Sequence, residues 1–188
     1  MSMAPGREGD AGAAPIPPFL AFLEEQRAVV YRFLLATVGP SEADDCFQET
    51  FLAALRSYPR LRDGNNLRSW VLTIATRKAI DASRARRRRP VPDEDVPRLV
   101  GGADPGRTAA ARPVGLGSGS ASEVVDPEDP LWDAVRELPP KQRAAVVHRH
   151  VLDRSYAEIA DVMGCSEEAA RGNVSQGMRK LRTTMEAR

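Results

Sequence analysis

The chain has 188 residues, of which 42% are hydrophobic and 28% charged, and its formal net charge is +1. This composition is close to the average of globular proteins and excludes a wholly disordered or collagen-like chain. No run of about 18 uninterrupted apolar residues offers a membrane span. The N-terminus also lacks the basic and apolar stretches of a signal peptide, so we expect a cytoplasmic protein without membrane contact.

The first part of the chain predicts a tail followed by helices. Residues 1–18 include three closely spaced prolines, which predicts a disordered tail. Residues 19–89 then carry apolar side chains at helical spacing, which predicts a small helical domain. Its first helix should end before Gly39, and the second should begin at Ser41 with a capping box. In the third helix, Trp70 shares an apolar stripe with other core candidates, which favours core packing over base stacking.

The charge is unevenly distributed along the chain. Residues 67–89 hold eight basic and one acidic side chain, whereas residues 90–130 hold three basic and eight acidic ones. Concentrated positive charge is typical of a protein that binds phosphates, although a solvated basic helix end carries it equally well. Residues 90–130 also contain seven prolines and six glycines, which predicts a flexible acidic linker.

Residues 131–188 predict a second helical domain that contains a helix-turn-helix. Ser155 and Glu158 have the spacing of a capping box, Gly164 suits the end of that helix, and Ser166 caps the next. The last helix carries an apolar stripe that consists of Val174, Met178, Leu181 and Met185. We therefore expect an all-α fold with two small helical domains joined by a long flexible linker, the second a helix-turn-helix.

Catalytic and metal-binding patterns are missing from the sequence. Cys46 and Cys165 have no further ligand at metal-binding spacing, so we interpret both as small apolar residues. His148 and His150 should point to different sides of a helix, and no nucleophile can be paired with a base. We expect no enzyme activity, no metal and no cofactor.

Four motifs carry a resemblance to one protein family. The run Glu42-Ala-Asp-Asp-Cys-Phe-Gln-Glu-Thr-Phe51 resembles the D-A-E-D-L-V-Q-E-T-F signature of bacterial extracytoplasmic-function (ECF) sigma factors. The run Leu67-Arg-Ser-Trp-Val-Leu-Thr-Ile-Ala75 is similar to their F-R-A-W-L-x-x-I-A. In the second domain, Leu138-Pro-Pro-Lys-Gln-Arg143 resembles L-P-P-x-Q-R, and Ser155-Tyr-Ala-Glu-Ile-Ala160 resembles S-Y-x-E-I-A.

This resemblance implies an alternative sigma factor, which binds core RNA polymerase, recognises −10 and −35 promoter elements and promotes transcription initiation. It implies that Asp45, Gln48 and Glu49 bind core polymerase. The residues that it implies for the −10 element are Asn65, Asn66, Arg68, Thr73, Arg77, Lys78 and Arg84. The candidates for the −35 element project away from the last apolar stripe and are Arg171, Asn173, Gln176, Arg179 and Lys180. The resemblance implies core RNA polymerase and promoter DNA as partners. It leaves open whether an anti-sigma factor is a third partner.

Two alternatives remain open at this point. One is a helix-turn-helix regulator that acts without polymerase, for which Asp45, Gln48 and Glu49 would have no use. The other is a sigma-like protein that binds polymerase but selects no promoter. Gly172 and Gly177 in the last helix allow two interpretations, because they either permit close approach to DNA or mark a weakened reader.

Overall fold

The computed structural model describes residues 14–88 and 129–187, and these residues form seven α-helices and one 3₁₀ turn without a strand. The elements in chain order are α1 (Phe19–Val38), α2 (Pro40–Ser57), the 3₁₀ turn (Tyr58–Arg60), α3 (Leu67–Arg88), α4 (Pro130–Glu137), α5 (Pro140–His150), α6 (Tyr156–Met163) and α7 (Glu167–Glu186). No helix in this part of the chain is long and apolar enough to cross a membrane. The predicted all-α fold class is confirmed.

Prolines stand at the first position of three helices, α2, α4 and α5. The helix α2 begins at Pro40 and has Gly39 as its N-cap without a side-chain hydrogen bond, so the predicted capping box at Ser41 is wrong. The helix α4 likewise begins at Pro130, and Asp129 Oδ1 accepts a 2.8 Å hydrogen bond from a main-chain N–H of its first turn. Proline suits a first helical position because its missing N–H has no partner there in any case.

The helix-turn-helix has the predicted caps. The Ser155 Oγ accepts from the Glu158 N–H, and the Glu158 carboxylate accepts from the Ser155 N–H at 2.9 Å, which completes the capping box of α6. Gly164 ends that helix in the left-handed conformation, with φ 61° and ψ 47°. Ser166 then caps α7 by accepting a 3.1 Å hydrogen bond from the Ala169 N–H. Local sequence therefore determines both helix ends that form the turn.

The buried stripe of α7 differs from the predicted one. Val174 and Leu181 are buried, but Met178 is 37% exposed and Met185 is 46% exposed. The close contact with α5 falls on Gly177, where an added Cβ would lie 2.6 Å from Val146 Cγ2. Because α5 and α7 approach this closely, the helix turns its glycine inward and its methionines toward solvent.

The two helical segments share one buried core. The helix α5 packs on α1 and α3, α6 packs on α3, and α4 packs on α1. The imidazole of His148 in α5 stacks on the Phe33 ring of α1 with 4.5 Å between ring centroids. Leu72, which the sequence did not single out, is fully buried. Trp70 packs against Phe22 and Tyr58, so its predicted core role is confirmed.

Residues 14–18 are better ordered than the predicted tail. They lie against the loop between α2 and α3, where Ala14 and Pro17 make three hydrogen bonds with that loop and with Tyr58. The prediction of a disordered tail is therefore wrong for this short stretch. Residues 1–13 and most of the predicted linker lie outside the described residues.

Candidate polymerase- and promoter-binding surfaces

The predicted polymerase-binding residues lie on an exposed side of α2. Asp45, Gln48 and Glu49 are all exposed, and the helical spacing brings Leu52 and Leu55 onto the same side. These two leucines are 53% and 49% exposed. We call the five residues the α2 ridge. The α2 ridge therefore combines two exposed carboxylates with two half-exposed apolar side chains.

The sequence did not identify the apolar half of the α2 ridge. The structure buries Ala54 and leaves the neighbouring Leu55 half-exposed. Leu52 and Leu55 follow Gln48 at i+4 and i+7, which is the signal that places them on one side. Only the packing against α1 and α3 shows which side is covered.

An ion pair connects the α2 ridge with the predicted −10 residues. Lys78 Nζ of α3 lies 2.9 Å from Glu49 Oε2. The resemblance implies polymerase binding for Glu49 and DNA binding for Lys78. A substitution at either residue therefore breaks an ion pair that both surfaces share.

The α2–α3 loop is organised by one carboxylate. Asp63 Oδ1 accepts a 2.9 Å hydrogen bond from the Asn65 N–H, and Asp63 Oδ2 accepts a 3.0 Å bond from the Asn65 side-chain amide. These bonds, the main-chain one first, lower the pKa of Asp63 below its usual value. The Asn65 side chain is thus oriented before any ligand arrives, and Asn66 beside it is exposed.

The second segment covers part of the predicted −10 surface. Arg154, only 7% exposed, extends from the turn before α6 to Ser69 Oγ at 3.3 Å and to Glu158 Oε1 at 2.6 Å. A cleft between α3 and α6 is lined by Arg68, Thr73 and these side chains. Burial, with a contribution from Arg154, lowers the pKa of Arg68 below its usual value.

The remaining predicted −10 residues lie further along α3 on its open side. Arg77 is exposed, and Arg84 is exposed with its guanidinium 3.9 Å from Asp81. The basic end of α3 is also exposed, and Arg87 donates a 3.3 Å hydrogen bond to the Leu138 carbonyl. The structure therefore brings Asn65, Asn66, Arg68 and Thr73 to one end of α3, away from Arg84.

Three of the five predicted −35 residues have partners within the second segment. Arg171 pairs with Glu167 at 2.8 Å and lies over the Tyr156 ring, 4.9 Å from its centroid. Asn173 donates to a carbonyl one turn earlier, and Gln176 accepts a 3.0 Å hydrogen bond from Gln142. Arg179 and Lys180 are exposed further along α7.

The two glycines of α7 have different surroundings. Gly177 faces α5, whereas a Cβ added at Gly172 would meet nothing within 4 Å. Packing therefore accounts for Gly177 without any reference to DNA. Gly172 is the one of the two whose role remains open to a DNA contact.

The described residues offer no metal site, and the thiol of Cys46 stays protonated at neutral pH. No group of three or more His, Cys, Asp or Glu side chains there could hold a metal ion. Cys46 is buried in α2, and burial together with Glu42 and Glu49 raises its pKa to about 11. His148 is fully buried and has its pKa lowered to about 3 by burial and by Arg154.

Comparison with known proteins identifies the family. Residues 22–89 match the model of sigma-70 region 2, and residues 128–181 match that of sigma-70 region 4. The chain is 31% identical over 193 residues to the ECF RNA polymerase sigma factor SigG of Mycobacterium tuberculosis, covering 94% of this chain and 49% of SigG. It is 30% identical over 156 residues to the ECF sigma factor SigC of the same species, covering 83% of this chain and 77% of SigC.

The fold has a counterpart among solved structures. The sigma factor RpoE of Bartonella quintana, solved in complex with the anti-sigma factor NepR, superposes with a TM-score of 0.62 at 21% identity. The match covers 89% of this chain and 96% of that one. The chain spans about half the length of SigG but most of SigC. Because it matches both sigma-70 regions and SigC, this chain belongs to the ECF family of RNA polymerase sigma factors.

Proposed function

We propose that this chain is an alternative sigma factor, which recruits core RNA polymerase to promoters through −10 and −35 elements and catalyses no reaction itself. The observation that carries the proposal is the α2 ridge. Glu49 pairs with Lys78 within the fold, but the exposed carboxylates and the two exposed leucines of the ridge together suit a basic partner surface that contains apolar pockets. A regulator that acts without polymerase has no need for this ridge.

The −10 and −35 surfaces have separate tasks in this proposal. The Asn65 and Asn66 loop takes bases of the opened strand, and the cations of α3 hold its backbone. The exposed side of α7 enters the major groove, where Arg179 and Lys180 contact phosphates or guanine edges. The proposed site of action is the cytoplasm, where polymerase and promoter DNA are found.

The compact arrangement cannot engage both elements at once. Positions −10 and −35 are about 25 base pairs apart, which is about 85 Å of B-DNA at about 3.4 Å per base pair. A compact body with the size of the described residues has a radius of gyration of about 14 Å. We infer that the two segments separate on the promoter, which also uncovers Thr73, whereas Arg68 is already exposed. The 40 residues between Arg88 and Asp129 can span up to about 130 Å when extended.

Transcription in vitro tests the proposal. Purified core polymerase would be combined with the chain and a library of upstream DNA fragments, and discrete start sites would be mapped. The test variant is Asp45→Ala with Gln48→Ala, which leaves the Glu49–Lys78 ion pair intact. The matched control is Glu186→Ala, an exposed carboxylate at the end of α7.

The possible outcomes separate the candidate functions. We expect starts that depend on the chain, are lost in the double variant and persist in the control. Polymerase binding without discrete starts would support the sigma-like protein that selects no promoter. Specific DNA binding that is unchanged by the double variant, without polymerase binding, would support the independent regulator.

A further inference from the structure

The segment before α1 is fastened to the loop that the proposed function assigns to the −10 element. The Gly64 N–H donates a 3.0 Å hydrogen bond to the Ala14 carbonyl, and the Ala14 N–H donates a 3.0 Å bond to Asp63 Oδ1. The Tyr58 hydroxyl donates a 2.8 Å bond to the Pro17 carbonyl. We call residues 14–18 the strap.

The fit between strap and loop depends on a glycine. A Cβ added at Gly64 would lie 2.5 Å from the Pro15 carbonyl oxygen and 3.0 Å from that of Ala14. These are backbone atoms, so a larger residue at position 64 must displace the strap or the loop. Gly64 does not have the positive φ that favours glycine at Gly39 and Gly164. The close approach of the strap is therefore the reason for glycine at position 64.

A single carboxylate links the strap with a predicted base contact. Asp63 accepts from the Ala14 N–H and also from the main chain and side chain of Asn65. Loss of the strap removes one of the partners that hold this carboxylate. The orientation of the Asn65 amide therefore depends on residues nearly 50 positions earlier in the chain.

The composition of the strap suits a fixed element. Pro15, Pro17 and Pro18 restrict φ and reduce the conformational entropy that is lost when the segment docks. They also leave carbonyl groups as acceptors, and the Pro17 carbonyl is used by Tyr58. Pro17 lines a surface groove together with Arg32, Asn65 and Arg68. The strap thus forms part of the surface beside the loop.

From these contacts we propose that the strap is a positioning element of the −10 site, which holds the α2–α3 loop in the conformation that receives the opened strand. This inference rests on the proposed function of the loop. Its residues act through Asp63 and Gly64, and they need not contact DNA themselves.

The test uses the full chain in holoenzyme with core polymerase. Gly64→Ala removes the space for the strap, and Tyr58→Phe removes one hydrogen bond while the ring remains. Gly172→Ala is the matched control, since its surroundings are open. The probe is a short promoter fragment from a mapped start, with its −10 region unpaired by mismatches and without a −35 element. Fluorescence anisotropy gives its affinity, and hydrogen exchange at the Gly64 amide reports release of the strap.

We expect Gly64→Ala to accelerate exchange at position 64 and to weaken binding of the probe by about ten-fold or more, as for the loss of a base contact. Tyr58→Phe should act in the same direction by less. The double variant should bind the probe no more weakly than Gly64→Ala alone, because both changes release the same strap. Affinity for core polymerase should be unchanged in all variants.

Wild-type affinity of both variants for the probe, with accelerated exchange at position 64, would overturn the proposal. If Gly64→Ala fails to fold, as judged by circular dichroism, Tyr58→Phe decides by itself. A wild-type chain that yields no discrete starts would instead refute the proposed function. The strap and the proposed function therefore fail in distinguishable ways.

Discussion

The guanidinium of Arg143 in α5 donates a 2.7 Å hydrogen bond to the carbonyl oxygen of Thr37 at the end of α1, across 106 positions of the chain. It also donates to Ser83 Oγ of α3 and to the Leu138 carbonyl, each at 3.0 Å. Arg143 is 2% exposed, and burial together with Arg86 lowers its pKa to about 10, so it remains charged at neutral pH. This buried cation joins both helical segments.

Arg143→Lys should weaken the packing of the two helical segments against each other, which we call the closed form. An ammonium cannot reproduce the planar fork that satisfies three acceptors, and disruption of a buried charged network costs about 3–5 kcal/mol. We expect a lower free energy of unfolding and a larger radius of gyration by small-angle X-ray scattering. Arg182→Lys, on the exposed side of α7, is the control. Scattering curves and unfolding transitions identical to wild type would show that Arg143 does not hold the segments together.

His148 should make closure sensitive to acid. Its Nε2 lies 2.9 Å from Thr76 Oγ1, whose own hydroxyl donates to the Leu72 carbonyl, so Nε2 must carry the proton toward Thr76. The pKa of about 3 in the closed form lies below the ordinary value of about 6.5. Above pH 6.5 the His148 imidazole is neutral in both the closed and the released form, so it adds no pH dependence to the stability. Below it only the released imidazole binds a proton, so closure loses about 1.4 kcal/mol per pH unit down to about pH 3.

Urea unfolding at pH 7.5 and pH 5.5 measures this effect. We expect the wild type to lose about 1 kcal/mol more stability between these pH values than His148→Gln, whose amide can still donate to Thr76. Equal pH dependence in the two proteins would contradict the assignment to His148.

Alanine at the two glycines of α7 should have opposite effects. Gly177→Ala forces a Cβ to 2.6 Å from Val146 Cγ2, and such overpacking typically costs about 1–3 kcal/mol. Gly172→Ala has open space and should stabilise the helix by about 1 kcal/mol. Thermal unfolding of both variants provides a matched comparison. Destabilisation by Gly172→Ala would show that its surroundings are less open than in this structure.

The leucines of the α2 ridge should affect binding and not folding. Leu52→Ala with Leu55→Ala removes exposed side chains, so the unfolding free energy should change by less than about 1 kcal/mol. Affinity for core polymerase should fall at least about ten-fold, which corresponds to about 1.4 kcal/mol. Leu20→Ala, 74% exposed on α1, is the control. Unchanged polymerase affinity, measured by biolayer interferometry, would restrict the binding surface to the polar residues.

The two cysteines should differ in reactivity. Cys46 is buried and its raised pKa of about 11 keeps it as a thiol at pH 8, whereas Cys165 is half-buried beside the turn of the helix-turn-helix. Because the thiolate is the reactive form, a disulfide reagent should modify Cys165 first. Cys165→Ser should abolish the rapid phase and leave only slow labelling. Rapid labelling of Cys46 in that variant would indicate that α2 opens readily.

The sequence by itself determined the helices of this protein and several of their ends. Ser155, Gly164 and Ser166 act through neighbouring backbone groups, so their roles depend on local spacing alone. The all-α fold class and the family motifs were accessible for the same reason. The roles assigned to the −10 and −35 residues remain predictions, since they depend on DNA contacts.

Only the tertiary structure decided which sides of the helices are covered. Gly177, and not the predicted Met178, lies in the buried stripe of α7 because α5 packs against α7 at this position. The closed packing through Arg143 and the strap on Gly64 join residues that are far apart in the chain. The periodicity of one helix does not show which distant residues will contact it, because the packing of the whole core sets their positions.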